Sequence, residues 1–226
     1  MHYEKIEPAI FLERPNRFVA WVETRTGREI CHVKNTGRCR ELLIPGTEIY
    51  VQRNENPSRK TPLDLITVRK GNRLINMDSQ VPNRVAAQWV MESGFVSEQA
   101  VVKMEKTFGN SRFDLYIEDG ERKIFMEVKG VTLEDNGVVR FPDAPTERGV
   151  KHLKELMTAR AEGYEAAVLF VIQMEQVQYL EPNDQTHAAF GQALRQAAEA
   201  GVQVLAIDCR IKPDEIVPGK PVKVRL

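Results

Sequence analysis

The chain has 226 residues, with 32 Lys plus Arg against 32 Asp plus Glu and hence no formal net charge, so the whole-chain balance by itself argues against a nucleic-acid partner. With 42% hydrophobic and 28% charged residues, 14 Gly and 12 Pro, the composition excludes disordered, collagen-like and disulfide-scaffold classes. Cys31, Cys39 and Cys209 are odd in number and lack metal-ligand spacing, no apolar run opens the chain, and the cytoplasm is the default location. The longest apolar stretch, residues 166–172, is far short of the roughly 20 residues that span a bilayer. No membrane association is expected.

The zero is a sum of unlike parts. Residues 14–76 hold 13 basic and 6 acidic side chains, whereas residues 77–226 hold 18 basic and 23 acidic. Such asymmetry is a hint of a nucleic-acid surface. The plainer reading is a solvated basic face.

The first part reads as β. Residues 17–23 (RFVAWVE) alternate, Thr26-Gly27 forms a turn, and residues 29–33 resume before a basic loop at 34–40 (KNTGRCR). Further strands are predicted at 48–51, 63–69 and 73–76. Five short strands suit a small barrel, and an OB-like barrel binds oligonucleotides on its strand 2 and 3 face and adjoining loops. Lys34, Arg38 and Arg40 in one loop, with Arg53, Arg59 and Lys60 in the next, are the candidate nucleic-acid contacts.

The period changes after Asp78. Val81-Pro82-Asn83 signals a helix start, and Val85, Ala86, Trp89 and Val90 recur at helical spacing up to Gly94. The predicted domains are residues 1–78, an OB-like barrel, and 79–226, an α/β unit. The second contains a strand near 101–105, a hairpin over 112–129, a helix over 146–162, a strand over 166–172, a helix over 186–200 and a strand over 202–207. That closing strand-helix-strand order implies a parallel pair.

The hairpin carries the chemistry. With Asp119-Gly120 as a two-residue turn, Asp114 faces Phe125 and Arg112 faces Glu127. Phe113, Leu115, Ile117, Ile124, Met126 and Val128 then share one face, and Asp114, Glu127 and Lys129 share the other. Asp114 and Glu127 become diagonal neighbours, roughly 7 to 8 Å apart at the backbone. A hard cation such as Mg²⁺ or Mn²⁺ fits between two such carboxylates and acts on a phosphodiester, with Lys129 orienting water or neutralising charge. The alternative is a cross-strand ion pair between Arg112 and Glu127.

In the next helix Thr146 is the expected N-cap, and Val150, Leu153 and Met157 form the buried stripe. Arg148 and His152, four apart, share a face and could approach a phosphate together. Pro142-Asp143 reads as helix-start chemistry, His2 and His187 as peripheral. No P-loop, Gly-x-Gly-x-x-Gly or Gly-x-Ser-x-Gly motif is present.

The segments at 32–38 (HVKNTGR), 43–46 (LIPG), 111–114 (SRFD), 127–132 (EVKGVT), and 141–144 (FPDA) through Thr146-x-Arg148-Gly149-x-x-His152-Leu153 resemble the sugar fermentation stimulation protein family of bacteria and archaea. The resemblance runs in order over about residues 10 to 215. It implies an N-terminal OB-like β-barrel followed by a PD-(D/E)XK nuclease-like α/β domain. It carries Asp114, Glu127 and Lys129 onto the D...E-x-K catalytic positions, with the carbonyl of Val128 and an earlier acidic residue, Glu105 ahead of Glu92, as further metal ligands. Phe113 stands where the superfamily has Pro. The resemblance implies a DNA partner, with RNA left open, and often a homodimer, although no exposed stripe marks an interface. Since the family is named for a sugar-metabolism phenotype, a non-enzymatic DNA-binding regulator of sugar (maltose) genes is the alternative to a metal-dependent nuclease.

Overall fold

The computed structural model describes residues 1–35, 37–56 and 58–226. Thr36 of the 32–38 motif and Pro57 lie outside the described residues.

The chain begins with β1 (Ile6–Asn16), β2 (Val19–Thr24), β3 (Gly27–Val33), β4 (Glu48–Arg53) and β5 (Leu63–Lys70). Strand β1 pairs with β2 and β4, β2 with β3, β4 with β5, and a parallel β3–β5 pairing closes the barrel. Strand β6 (Arg73–Asn76) only extends β5 as a hairpin. The barrel thus has five strands, but not the five expected: β1 replaces β6. Pro8 and Pro15 disguise β1 in the sequence. Pro8 lies beyond the β2 pairing, where one side of the strand has no neighbour. Phe11, Val22, Cys31, Ile49, Val51 and Leu65 fill the interior.

Helix α1 (Pro82–Glu92) follows, with Pro at its first position, where the missing N–H is no loss. Next come β7 (Val101–Phe108), β8 (Ser111–Asp119), β9 (Arg122–Val131), β10 (Glu134–Asp135), β11 (Val138–Phe141), α2 (Glu147–Ala161), β12 (Glu165–Ile172), β13 (Tyr179–Pro182), α3 (Asp184–Glu199), β14 (Gln203–Lys212), β15 (Glu215–Pro221) and β16 (Lys223–Val224). A six-stranded mixed sheet runs β15-β14-β12-β9-β8-β7, and a small sheet runs β10-β11-β13-β16. Strand β12 pairs in parallel with both β9 and β14, so β9 is an interior strand.

Both faces of the central strands of the large sheet are covered. On one, Val81 just before α1 and Val85, Ala86 and Val90 within it pack against Leu115, Ile117, Ile124, Met126 and Leu169. On the other, Leu153 and Leu156 of α2 and Phe190 and Leu194 of α3 pack against Phe113, Phe125, Val168 and Phe170. Each of the Val, Leu, Ile, Phe and Met side chains among these contributes about 1.5 to 3 kcal/mol through area removed from water. Thr146 caps α2 as expected, its hydroxyl accepting from Gly149 N at 3.1 Å. The buried stripe of α2 is turned from the expected one: His152, Leu156 and Ala159 lie inside with Leu153, while Val150 and Met157 are half-buried.

The two parts are joined by polar contacts. Glu134, 2% exposed at its side chain, accepts from Lys70 and from Arg73. Asp78, at the junction and equally enclosed, holds Lys34 Nζ at 2.6 Å within the first part. Gln173 reaches from the end of β12 to the carbonyls of Asn76 and Asp78.

Candidate carboxylate centre and basic cleft

The hairpin register differs from expectation by two residues. Asp119 pairs with Arg122 and Leu115 with Met126, so the loop is Gly120-Glu121 with glycine first, φ +63, an order that suits a II′ hairpin. An even shift leaves each side chain of the paired segment on its own face. Asp114 thereby moves from opposite Phe125 to beside Glu127, and Arg112 is no longer opposite Glu127.

Beyond Leu115 the regular β8–β9 ladder stops. Phe113 packs against Phe125, with ring centroids 5.6 Å apart, and against His152 on the α2 side, whereas Leu115 and Ile117 face α1. The expected apolar face therefore excludes Phe113. Asp114 takes over the bonding: its Oδ2 accepts the Val128 backbone N–H and its Oδ1 accepts from Asn83 Nδ2, each at 2.8 Å. Asn83 belongs to the first turn of α1, brought close because Gly130 has no side chain. A Cβ there would lie 2.7 Å from Pro82 Cγ.

Glu127 is 3% exposed. Its Oε1 accepts from Lys129 Nζ at 2.6 Å and bonds Nδ1 of buried His152. Its Oε2 is buried with no hydrogen-bond partner among the described residues. Burial pushes the Glu127 carboxyl up, but the hydrogen bond from His152, the Lys129 charge and the Lys129 hydrogen bond outweigh it and hold it below its ordinary value. Asp114 is raised above its ordinary value, by burial and then by the Glu127 charge. Two enclosed carboxylates, one with a bare oxygen, form a site short of positive charge.

The other proposed ligand stands apart. Glu105 lies between the Met104–Leu115 and Lys106–Phe113 pairs with φ +58. Its side chain is 57% exposed and meets Arg112 at 3.4 Å. Glu92 is exposed and bonded to Gln88. No group of three His, Cys, Asp or Glu side chains with metal-binding geometry occurs among the described residues. Nor does His152 offer itself to a phosphate at the surface: it turns inward to Glu127, and exposed Arg148 donates to its Nε2. His187, expected to be peripheral, is enclosed at the N-terminus of α2, its Nδ1 accepting from Thr146 N.

The basic residues of the barrel divide into two sets. Arg53 is held by Glu7 and Glu29, Arg59 by Asp64, and Lys34 by Asp78. Much of the local positive charge is thus neutralised within the fold. Arg38, Arg40 and Lys60 are exposed and form no ion pair among the described residues. Arg38 and Arg40 line a cleft of about 600 Å³ together with Arg14 and Arg17. Arg14 donates to the carbonyls of Arg17, Asn35, Gly37 and Arg38 and so shapes the loop. Arg14 and Arg17 join the candidates only in the folded chain: Arg14 lies in β1, which its prolines hide in the sequence, and Arg17 in the turn that follows it. The cleft loop also docks on the second domain: Asp143, read as helix-start chemistry, accepts the Arg38 N–H at 3.2 Å.

Fold and site define a two-part protein, a closed five-stranded OB-type barrel joined to an α/β unit with an Asp-Glu-Lys centre on its hairpin. Residues 12–77 match the family profile described as the SfsA N-terminal OB domain, and residues 80–215 match the sugar fermentation stimulation protein RE domain. The chain belongs to the sugar fermentation stimulation protein family. It is similar to the "Sugar fermentation stimulation protein homolog" of Desulfitobacterium hafniense (strain Y51), 60% identical over 100% of this chain and 99% of the relative. The Ruminiclostridium cellulolyticum homolog is 54% identical over the full length of both. A solved structure described as Pyrococcus furiosus SfsA in complex with Ca²⁺ superposes with a TM-score of 0.88 at 28% identity, covering 100% of this chain and 98% of that one.

Proposed function

We propose that this protein binds nucleic acid, DNA first, through the arginine cleft of its barrel and hydrolyses phosphodiester bonds at a divalent-metal centre on the hairpin. The observation that carries the second part is the bare, buried Oε2 of Glu127, a carboxylate whose charge also acts on Asp114. The donor set fits a hard cation, which takes one or two carboxylates plus neutral oxygens. Asp114 and Glu127, with the Val128 carbonyl as the neutral ligand carried by the resemblance, would hold Mg²⁺ or Mn²⁺. When bound, such an ion polarises a phosphoryl oxygen and lowers the pKa of its water. Lys129, 15% exposed and tethered to Glu127, would neutralise the charge that builds on a phosphate at such an ion. The Ca²⁺ of the Pyrococcus furiosus relative belongs to the same oxygen-seeking class and supports the reading.

The cleft and the centre share supports. Lys34 and Ser79 fasten one end of the cleft loop just before α1, which carries Asn83, and Asp143 fastens the other just before α2, which carries His152. The loop that lines the cleft is therefore fastened next to the starts of the two helices that reach the carboxylates.

Incubation with single- and double-stranded DNA, with and without Mg²⁺ or Mn²⁺, tests the proposal. Cleavage is expected only with metal and is expected to disappear in Asp114→Asn and Glu127→Ala. Cleavage that survives those substitutions overturns the assignment.

One observation favours a second reading. Both Asp114 oxygens already accept protein N–H groups, as a structural carboxylate's would. On this reading the protein is a DNA-binding regulator of sugar (maltose) genes without catalysis. It predicts metal-independent binding that weakens steeply with salt and is unaltered by the carboxylate substitutions.

A further inference from the structure

Helix α2 contacts only one oxygen of Glu127. His152, 6% exposed at its side chain, places Nδ1 on Glu127 Oε1. One turn earlier, Arg148 Nε donates to His152 Nε2 at 3.3 Å. The Phe113 ring meets the imidazole edge-on, with centroids 6.1 Å apart. A guanidinium only donates and an ionised carboxylate only accepts. The row therefore admits one proton assignment: Nε2 bare, and Nδ1–H donated to Glu127.

We propose that His152, set in its Nδ1–H tautomer by Arg148, is the positioning residue of the carboxylate centre, pinning Glu127 Oε1 so that Oε2 remains the cation-binding atom. This rests on the metal-centre reading. The terminal torsion of a glutamate is broad and roughly two-fold, so its oxygens exchange readily when held loosely. Lys129, on the same strand and at the end of a flexible stem, follows such a rotation. An imidazole clamped between Arg148 and Phe113 on a different element does not. Outer partners of this kind orient metal-binding carboxylates, and their loss costs about 10 to 100-fold in metal affinity.

The test uses the full-length chain and the metal alone. Mn²⁺ and Ca²⁺ are titrated calorimetrically into the native protein and the His152→Ala, His152→Asn and Glu127→Gln variants, with thermal unfolding of each recorded without metal. The native imidazole is assigned by long-range ¹H–¹⁵N NMR. Affinity is expected to fall about 10 to 100-fold in His152→Ala. It is expected to return to within several-fold in His152→Asn, whose amide N–H can replace Nδ1–H. The native spectrum is expected to show Nδ1 protonated and Nε2 bare. A purely structural histidine predicts lost stability in both variants without recovery of metal affinity, which would overturn the proposal. Native affinity in His152→Ala, or a proton on Nε2, would also overturn it while the metal centre stands. Metal uptake absent from the native chain, or unchanged in Glu127→Gln, would bring down the metal-centre reading and this proposal together.

Discussion

Asp143 accepts the backbone N–H of Arg38 at 3.2 Å, a hydrogen bond that joins residues 105 positions apart and ties the cleft loop to the start of α2. The approach is close: a Cβ on Gly37 would lie 2.4 Å from the Asp143 carboxylate. Hydrogen bonds to charged groups contribute about 1.5 to 3 kcal/mol. Asp143→Ala is expected to speed amide exchange of Arg38 and its neighbours about tenfold or more, and to weaken nucleic-acid binding. Hydrogen exchange read by mass spectrometry over the 34–40 peptide checks it, with unchanged protection counting against the docking role.

The cleft arginines and the paired arginines are expected to behave differently. Each phosphate contact contributes about 0.9 to the slope of log K against log salt on B-DNA. Arg17→Ala, Arg38→Ala and Arg40→Ala should each lower that slope by about one while leaving thermal stability within about 0.5 kcal/mol. Arg59→Ala should instead lower stability, because Asp64 then loses its bidentate partner. Fluorescence anisotropy at several salt concentrations separates the two classes.

Acid should loosen the barrel through Glu29. The Arg53 guanidinium, with Thr24 and Thr26, holds its carboxyl at about 2, against an ordinary value of 4.5. A depressed folded-state pKa means stability that is present above the unfolded value and lost as pH falls toward the folded one. The thermal midpoint of the native protein should therefore fall between about pH 4.5 and 2, and Glu29→Gln should show a flatter profile there. At pH 7 the variant should be less stable by about 1 kcal/mol, the modest figure proper to a partly exposed pair. Calorimetry across that range measures both.

Gly130 is expected to be intolerant of a side chain. In Gly130→Ala the new Cβ meets Pro82 and the Gln173 amide oxygen, each at 2.7 Å. Overpacking of this kind costs about 1 to 3 kcal/mol. If α1 moves to relieve it, Asn83 leaves Asp114, so Mn²⁺ affinity should change along with the melting temperature. A variant with native stability and native metal affinity would show that the close approach has no role.

The sequence by itself determined the class of the two parts and that Asp114, Glu127 and Lys129 lie close together on the hairpin. Alternation in 17–23 and 29–33, the change of period after Asp78, the Asp119-Gly120 turn signal and the Glu-x-Lys spacing are local patterns, and local backbone preferences decide them. Tertiary structure decided the rest. Strand β1, broken by two prolines, exists because β2 and β4 pair with it from both sides. The two-residue change of register depended on which loop position the glycine took, a choice that strand pairing makes. Whether a basic residue was free or paired depended on acids far along the chain: Arg53 on Glu7, Lys34 on Asp78, Lys70 and Arg73 on Glu134. His152 turned inward because Glu127, 25 residues away, lies beneath α2 on an interior strand covered on both faces. Burial and charge pairing are properties of the assembled layers, and no window of sequence contains them.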